Sequence, residues 1–264
     1  MNKLFDEIYR LILSDDPSEK CQSTQALAAE FDCFSLEHDH SKHEILEPGY
    51  PPKLKLVAPR ELKRRGIQHQ EGRNILLHAI AHIEFNAINL ALDAAYRFRD
   101  QPLEFYRDWV NIAADEARHF ELIRGYLNNN DCEYGDYQAH NGLWQMAVDT
   151  QHNVVARMAL VPRVLEARGL DVTPGIIEKL KRANDQDAVN ILTTIYNDEI
   201  GHVKIGSHWF FYQCEKRKLE PRNTFTKMVE TYLHGELKGP FNIAARLQAG
   251  FDEIEMDALN SRYG

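Results

Sequence analysis

The sequence predicts an all-α protein, a bundle of four long helices with additional helices before and after it. From about residue 73 onward apolar residues recur at helical spacing, in patterns at 73–98, 102–128, 139–168 and 185–216. Hardly any segment alternates apolar and polar residues as a half-buried strand does. The chain has 264 residues, 44% of them hydrophobic and 27% charged, which is enough to bury a substantial core and is the balance of a soluble globular protein.

Each element has a local reason. A first helix is expected over 3–13 and a short one over 20–32. The polar, proline-containing stretch 37–72 is long for a loop and is expected to run extended across the helices. Pro102 stands where the second long helix starts, a place at which its missing N–H does no harm. "NNNDCEYGDY" (128–137) has turn composition and separates the second pattern from the third. Gly169 is expected to cap the third helix, and "TPG" (173–175) to open a short helix before Asp185 or Asp187 starts the fourth. A helix near 222–237 and the segment 239–259 close the chain. The expected organisation is therefore 1–72 as N-terminal helices and surface wrap, 73–216 as the bundle and 217–264 as a helical extension, packed as a single domain.

Composition narrows the function classes. A net charge of -9 argues against a nucleic-acid partner held through its phosphates, and the basic stretch "RELKRRG" (60–66) reads as a solvated linker. No run approaches the uninterrupted apolar length of a membrane span, and the acidic N-terminus is unlike a signal peptide, so the expected location is the cytoplasm. Cys21, Cys33, Cys132 and Cys214 are scattered without a Cys-x-x-Cys pair, so they are expected to be reduced and incidental.

The chemistry is carried by "DWVNIAADEARHF" (108–120) and "IYNDEIGHVKIG" (195–206). In the first, Glu116 shares a helix face with Ile112, Ala113, His119 and Phe120; in the second, Glu199 and His202 share one with Ile195, Tyr196 and Val203. Two helices thus each aim a Glu and a His inward. Ionised carboxylates are not buried without compensating charge. The other two long patterns also hold inward acids: Glu84, with Ile80, Ala81, Ala87 and Ile88 on its face, and Glu166, two turns after Met158 and Ala159. Glu84 and Glu116 are 32 residues apart and Glu166 and Glu199 are 33 apart, which reads as one helical-hairpin unit used twice. Four carboxylates balance two divalent cations, and two neutral imidazoles complete the set. Carboxylate and imidazole without thiolate suit iron or manganese. A Glu from each of two helices and a Glu-x-x-His from each of two others is the ligand set of ferritin-like di-metal bundles.

On these residues the chain, from 73 to about 216, resembles the ferritin-like di-metal carboxylate superfamily, with "DEARH" and "DEIGH" similar to the second and fourth helices of its oxygen-activating members. More narrowly, "LLHAIAHIEFNAINLALDAA" and "ARMALVPRVLEARGLDVTPG" resemble a family of bacterial ferritin-like proteins of unassigned function. The resemblance implies Glu84, Glu116, His119, Glu166, Glu199 and His202 as ligands. It also implies that Asp115 and Asp198 each accept a hydrogen bond from a ligand histidine, that of the opposite helix, fixing its tautomer.

Several residues have a plainer reading. Glu37 and His40 in "LEHDHSKHE" share the Glu-x-x-His spacing but lie in a polar loop without an apolar face. His78 and His82 lie about 120° and 160° round the helix from Glu84 and read as structural, and His152, almost four turns before Glu166, reads as a polar surface or cap residue. Tyr196, one turn before Glu199, reads either as a phenol next to the metal ligands or as an amphipathic core residue. The aromatic run 208–212 reads as packing. For Glu166, Pro162 four residues earlier and Gly169 three later mean that the helix kinks or ends, so the altered turn either removes it or re-aims it.

A pair of ferrous ions can pass electrons to dioxygen, so the first expectation is an oxygen-dependent oxidoreductase or hydroxylase. No Gly-x-Gly-x-x-Gly follows a strand, so electrons would come from a separate reductase. The expected partners are dioxygen, a substrate that is either a small molecule or a macromolecule, and a second copy in a homodimer. Ferroxidase or iron handling is a second reading, although the extra segments 1–72 and 217–264 argue against a storage cage. A metal-free helical scaffold is the third.

Overall fold

The computed structural model describes residues 2–37, 42–62, 66–233 and 237–264. His40 of the His-rich loop, Lys63, Arg64 and Arg65 of the basic stretch, and residues 234–236 of the helix expected near 222–237 lie outside the described residues, and Leu237 itself is not helical. The all-α expectation holds. Strand structure among the described residues is confined to β1 (Asn2–Lys3) and β2 (Phe34–Ser35), paired in parallel, and a bridge between Leu56 and Ala139. The chain divides into two compact units, Met1–Val148 and Asp149–Gly264.

The first unit is built on two long helices, α3 (Gln70–Arg97) and α4 (Leu103–Asn129), joined by a loop too short to let them separate. Two shorter helices cover them. In α1 (Leu4–Leu13) Leu4, Phe5, Ile8, Leu11 and Ile12 fall on one stripe and are buried against α3. The second, α2 (Pro17–Ala29), lies on α4. It begins earlier than the apolar pattern indicated, because the Asp16 side chain accepts from the backbone N–H groups of Ser18 and Glu19 and Pro17 fits the first helical position. Among the described residues α3 alone has the length and apolar character to cross a membrane, and 72% of its most apolar stretch is buried within the protein, as in a core helix.

The described parts of the segment between α2 and α3 run largely extended over the helices, tied down through backbone groups. Gly49 N–H donates to Ile12 O at 2.8 Å, and a Cβ at Gly49 would lie 2.3 Å from the Leu13 and Ser14 carbonyl oxygens, so only glycine permits this approach. Lys20 and Trp144 donate to the Gly49 and Leu46 carbonyls, and Tyr50 donates to Asn86. The short helix α5 (Gly142–Asp149) ends at the boundary of this unit.

In the second unit the expected continuous helix 139–168 is replaced by separate pieces. The chain turns through 150–153, then forms α6 (Val154–Leu160), a π-helical segment (Val161–Glu166) and α7 (Ala167–Arg182). Asn153 causes the first break by capping α6, its side chain accepting from the N–H groups of Val155 and Ala156. Pro162 accompanies the second. It offers no N–H to an i→i−4 bond, and the ladder widens so that Ala167 N–H reaches the Pro162 carbonyl five residues back. Neither Gly169 nor "TPG" ends or opens a helix, contrary to expectation, since α7 runs through both. The carbonyl of Leu170, which Pro174 cannot satisfy, instead accepts from Asn242 Nδ2 at 3.1 Å. The long helix α8 (Gln186–Lys216), capped by Asp185, starts within a residue of its expected position. It packs against α6, α7 and the π segment; α9 (Pro221–Leu233), α10 (Ile243–Gln248) and α11 (Glu253–Tyr263) complete the unit.

Candidate metal centre

In the first unit α3 presents Glu84 and α4 presents Glu116 and His119, all three buried. His119 Nδ1 lies 3.3 Å from Glu116 Oε2 and 3.5 Å from Glu84 Oε2. One ligand atom from each of the three lies within 4.8 Å of the others, so this group could hold a metal ion. Burial alone would push the His119 imidazole down, but hydrogen bonds to Glu116 and Glu84 outweigh it and carry it up to about 11. The two carboxylates therefore make a buried place where positive charge is favoured. A divalent cation must compete with the proton on that imidazole, so binding would release a proton.

The second unit carries the matching pair. On α8 Glu199 and His202 are buried, with His202 Nδ1 3.6 Å from Glu199 Oε1, nearly the geometry of Glu116 and His119. Glu166 is the last residue of the π segment and its Oε2 is buried. The extra residue in that turn rotates Glu166 by about 100° relative to an unbroken helix, so its face cannot be read from Met158 and Ala159 by simple α spacing. The π segment lies close on α8, because a Cβ at Gly206 would come within 2.1 Å of Pro162 Cβ.

The neighbouring residues divide. Asp115 Oδ1 lies 3.4 Å from Arg118, whose Nη2 is 3.5 Å from His119 Nε2, while Asp198 is partly buried on α8. Tyr196 is partly buried and its hydroxyl accepts from Asn242 Nδ2 at 3.0 Å, tying α8 to the start of α10. His78 accepts from Gly135 N–H at 2.8 Å, and His82 meets Tyr134 Oη at 2.7 Å and the His140 carbonyl at 3.1 Å. Both fasten the 128–140 connection to α3 and serve structure. His152 sits at the surface 3.3 Å from Tyr232 Oη, and none of the four cysteines is disulfide-bonded.

Burial pushes His78 and His82 down to about 4, against about 6.5 for the free side chain. With both pKa values depressed, the unfolded chain binds more protons in between, so their contribution to stability is complete above about pH 6.5 and is lost as pH falls through about 4. Urea melts taken at pH 7, 6, 5 and 4 are expected to show the midpoint falling over this window. Replacing His82 by Gln should flatten the fall.

Sequence reasoning missed the buried arginines of the second unit. Arg163 is fully buried and donates to Glu255, and Arg246 is held in bidentate fashion by Asp171. A signal was present for Arg163, a charge inside the apolar run "ALVPRVLE". For Arg246 no local pattern points to Asp171, 75 residues away.

An all-α chain in which two packed helices enclose a buried Glu–Glu–His group is a helical protein with a candidate metal centre. The chain belongs to the family described as "Protein of unknown function (DUF455)", whose model matches residues 13–257. It is similar to an uncharacterized protein of Haemophilus influenzae (strain ATCC 51907 / DSM 11121 / KW20 / Rd), 48% identical over 215 residues that cover 79% of this chain and 75% of that protein. No solved structure matches.

Proposed function

We propose that the chain is a ferritin-like di-metal carboxylate protein, with the bundle in residues 73–216, that binds two iron or manganese ions and acts as an oxygen-dependent oxidoreductase on an organic substrate. The observation that carries this reading is the buried group of Glu84, Glu116 and His119 on two packed helices. Its extension to two ions rests on the repeated spacing and on the matching Glu199–His202 pair, which with Glu166 supplies the second half of the ligand set. The donors fit such ions: four carboxylates offset four positive charges, and two imidazoles add neutral ligands without thiolate.

Within this reading the roles of the side chains follow from their chemistry. Glu84, Glu116, Glu166 and Glu199 would hold the ions, and His119 and His202 would add neutral imidazole ligands. Asp115 and Asp198 would each accept a hydrogen bond from a ligand histidine and set its tautomer. Tyr196, whose hydroxyl accepts from Asn242, would serve as a phenol next to the ligands. When bound, a ferrous pair supplies electrons for the reduction of dioxygen. The protein contributes geometry, exclusion of water and control of access, and a separate cytoplasmic reductase restores the electrons.

The test is to load the reduced protein anaerobically with two ferrous ions per chain and then admit oxygen. Oxygen consumption with no ferric mineral, and with organic product formed from added cell metabolites, is the expected result. Mineralised iron would assign the protein to iron handling instead, and a protein that neither binds iron nor consumes oxygen would be a helical scaffold.

A further inference from the structure

The π segment Val161–Glu166 is fixed from several sides within the second unit. Its Arg163 side chain is fully buried, with Nη2 donating to Glu255 Oε1 at 2.6 Å. The guanidinium carbon lies 4.3 to 5.3 Å from the ring centres of Phe251, Phe211, Phe210 and Phe225. Glu255 is itself immobilised, because its Oε2 accepts from Asp252 N–H at 3.1 Å in the capping box that starts α11. The preceding residue, Pro162, is pressed against Gly206 of α8, and the Ala167 carbonyl, just beyond the segment, accepts from Arg246 at 3.4 Å.

A buried ion pair is weak evidence for stability, because desolvation offsets its attraction; its best attested use is to select one register among alternatives. For this segment the alternative to the π turn is an unbroken α turn. In an ordinary α turn the rotation would build up along the segment to about 100° at its end, and Arg163, midway, would already be turned away from the aromatic cage and Glu255. Glu166, three residues beyond Arg163, would rotate with it.

We propose that Arg163 and Glu255 are positioning residues for Glu166: the Arg163–Glu255 pair, locked by the cap of α11 and the phenylalanine cage, holds the π turn in the register that aims Glu166 as a metal ligand. The inference rests on the ligand role proposed for Glu166 above. It makes α11 part of the metal centre without supplying a ligand to it.

The test is a Mn2+ titration of the full chain, followed by calorimetry, for the wild type, Glu166→Ala, Glu255→Gln and the double variant, with metal-free melting curves of each. Two ions are expected in the wild type, with one of them weakened roughly 10- to 100-fold by Glu255→Gln as by Glu166→Ala, and no further weakening in the double variant. If Glu255→Gln melts earlier yet binds both ions with wild-type affinity, or if its effect adds to that of Glu166→Ala, the pair is merely structural and the proposal falls. Should Glu255→Gln not fold, Gly206→Ala disturbs the same turn through Pro162, and wild-type binding of both ions in that variant overturns the proposal equally. A wild type that binds no metal removes the underlying reading rather than this coupling.

Discussion

Glu116→Ala is expected to lower the affinity of the protein for Mn2+ or Fe2+ on the order of 100-fold or more while leaving the helical content unchanged. Glu116 is fully buried and contributes one of the two carboxylates that flank His119, so its removal takes away both a ligand oxygen and half of the local negative charge. Loss of an outer partner alone typically costs 10- to 100-fold in metal affinity, and loss of a ligand costs at least as much. The fold should survive. α4 keeps its other buried contacts, Trp109, Ile112, Phe120 and Ile123 among them, and the change removes a buried charge rather than an apolar anchor. Because a carboxylate partner is lost, His119 should titrate below the value of about 11 that Glu116 and Glu84 give it together, which NMR of the metal-free protein would detect. Unchanged metal affinity in this variant would exclude the group on α3 and α4 as a binding site.

Asp171→Ala is expected to give the largest loss of stability, about 3–5 kcal/mol. The Asp171 carboxylate is fully buried and accepts from Arg246 Nε at 2.9 Å, Arg246 Nη2 at 2.7 Å and the backbone N–H of Asn242 at 2.9 Å. Without it the buried guanidinium keeps the faces of Phe241 and Phe251, at 4.9 and 5.0 Å, and a long contact to the Ala167 carbonyl, but loses its counter-charge. Replacing both members, Asp171→Ala with Arg246→Met, should recover part of the loss, since removing a whole buried pair costs less than breaking it. Urea denaturation gives the comparison. A single-variant loss below about 1 kcal/mol, in the range of a surface substitution, would show that the pair is solvated in solution.

The long helices were legible because their apolar stripes repeat over many turns: α3, α4 and α8 lie within about three residues of their expected bounds. The third pattern was not, because there the sequence signals conflict with tertiary contacts. Gly169 and Pro174 look like punctuation, yet α7 absorbs both, the second because Asn242 takes the carbonyl that proline leaves free. Pro162 marks a disturbance in the sequence, but a widened turn with i→i+5 bonding cannot be told from a kink without neighbours such as Gly206. Of the candidate site, Glu84, Glu116 and His119 were legible as inward acids and an imidazole one turn apart, and they meet in the first unit. The buried Lys20, pushed down to about 7 by desolvation and donating to Asn89, Ile12 and Gly49, left no trace in sequence because its acceptors are mostly backbone oxygens of distant segments.

The most direct measurement is the metal content of the protein purified from cells grown with iron and manganese, by elemental analysis, for the wild type beside Glu116→Ala and Glu199→Ala. The account predicts close to two transition-metal ions per wild-type chain and a marked loss in each variant, with all three proteins equally helical. A wild type that carries no such metal and takes up none on titration would contradict it.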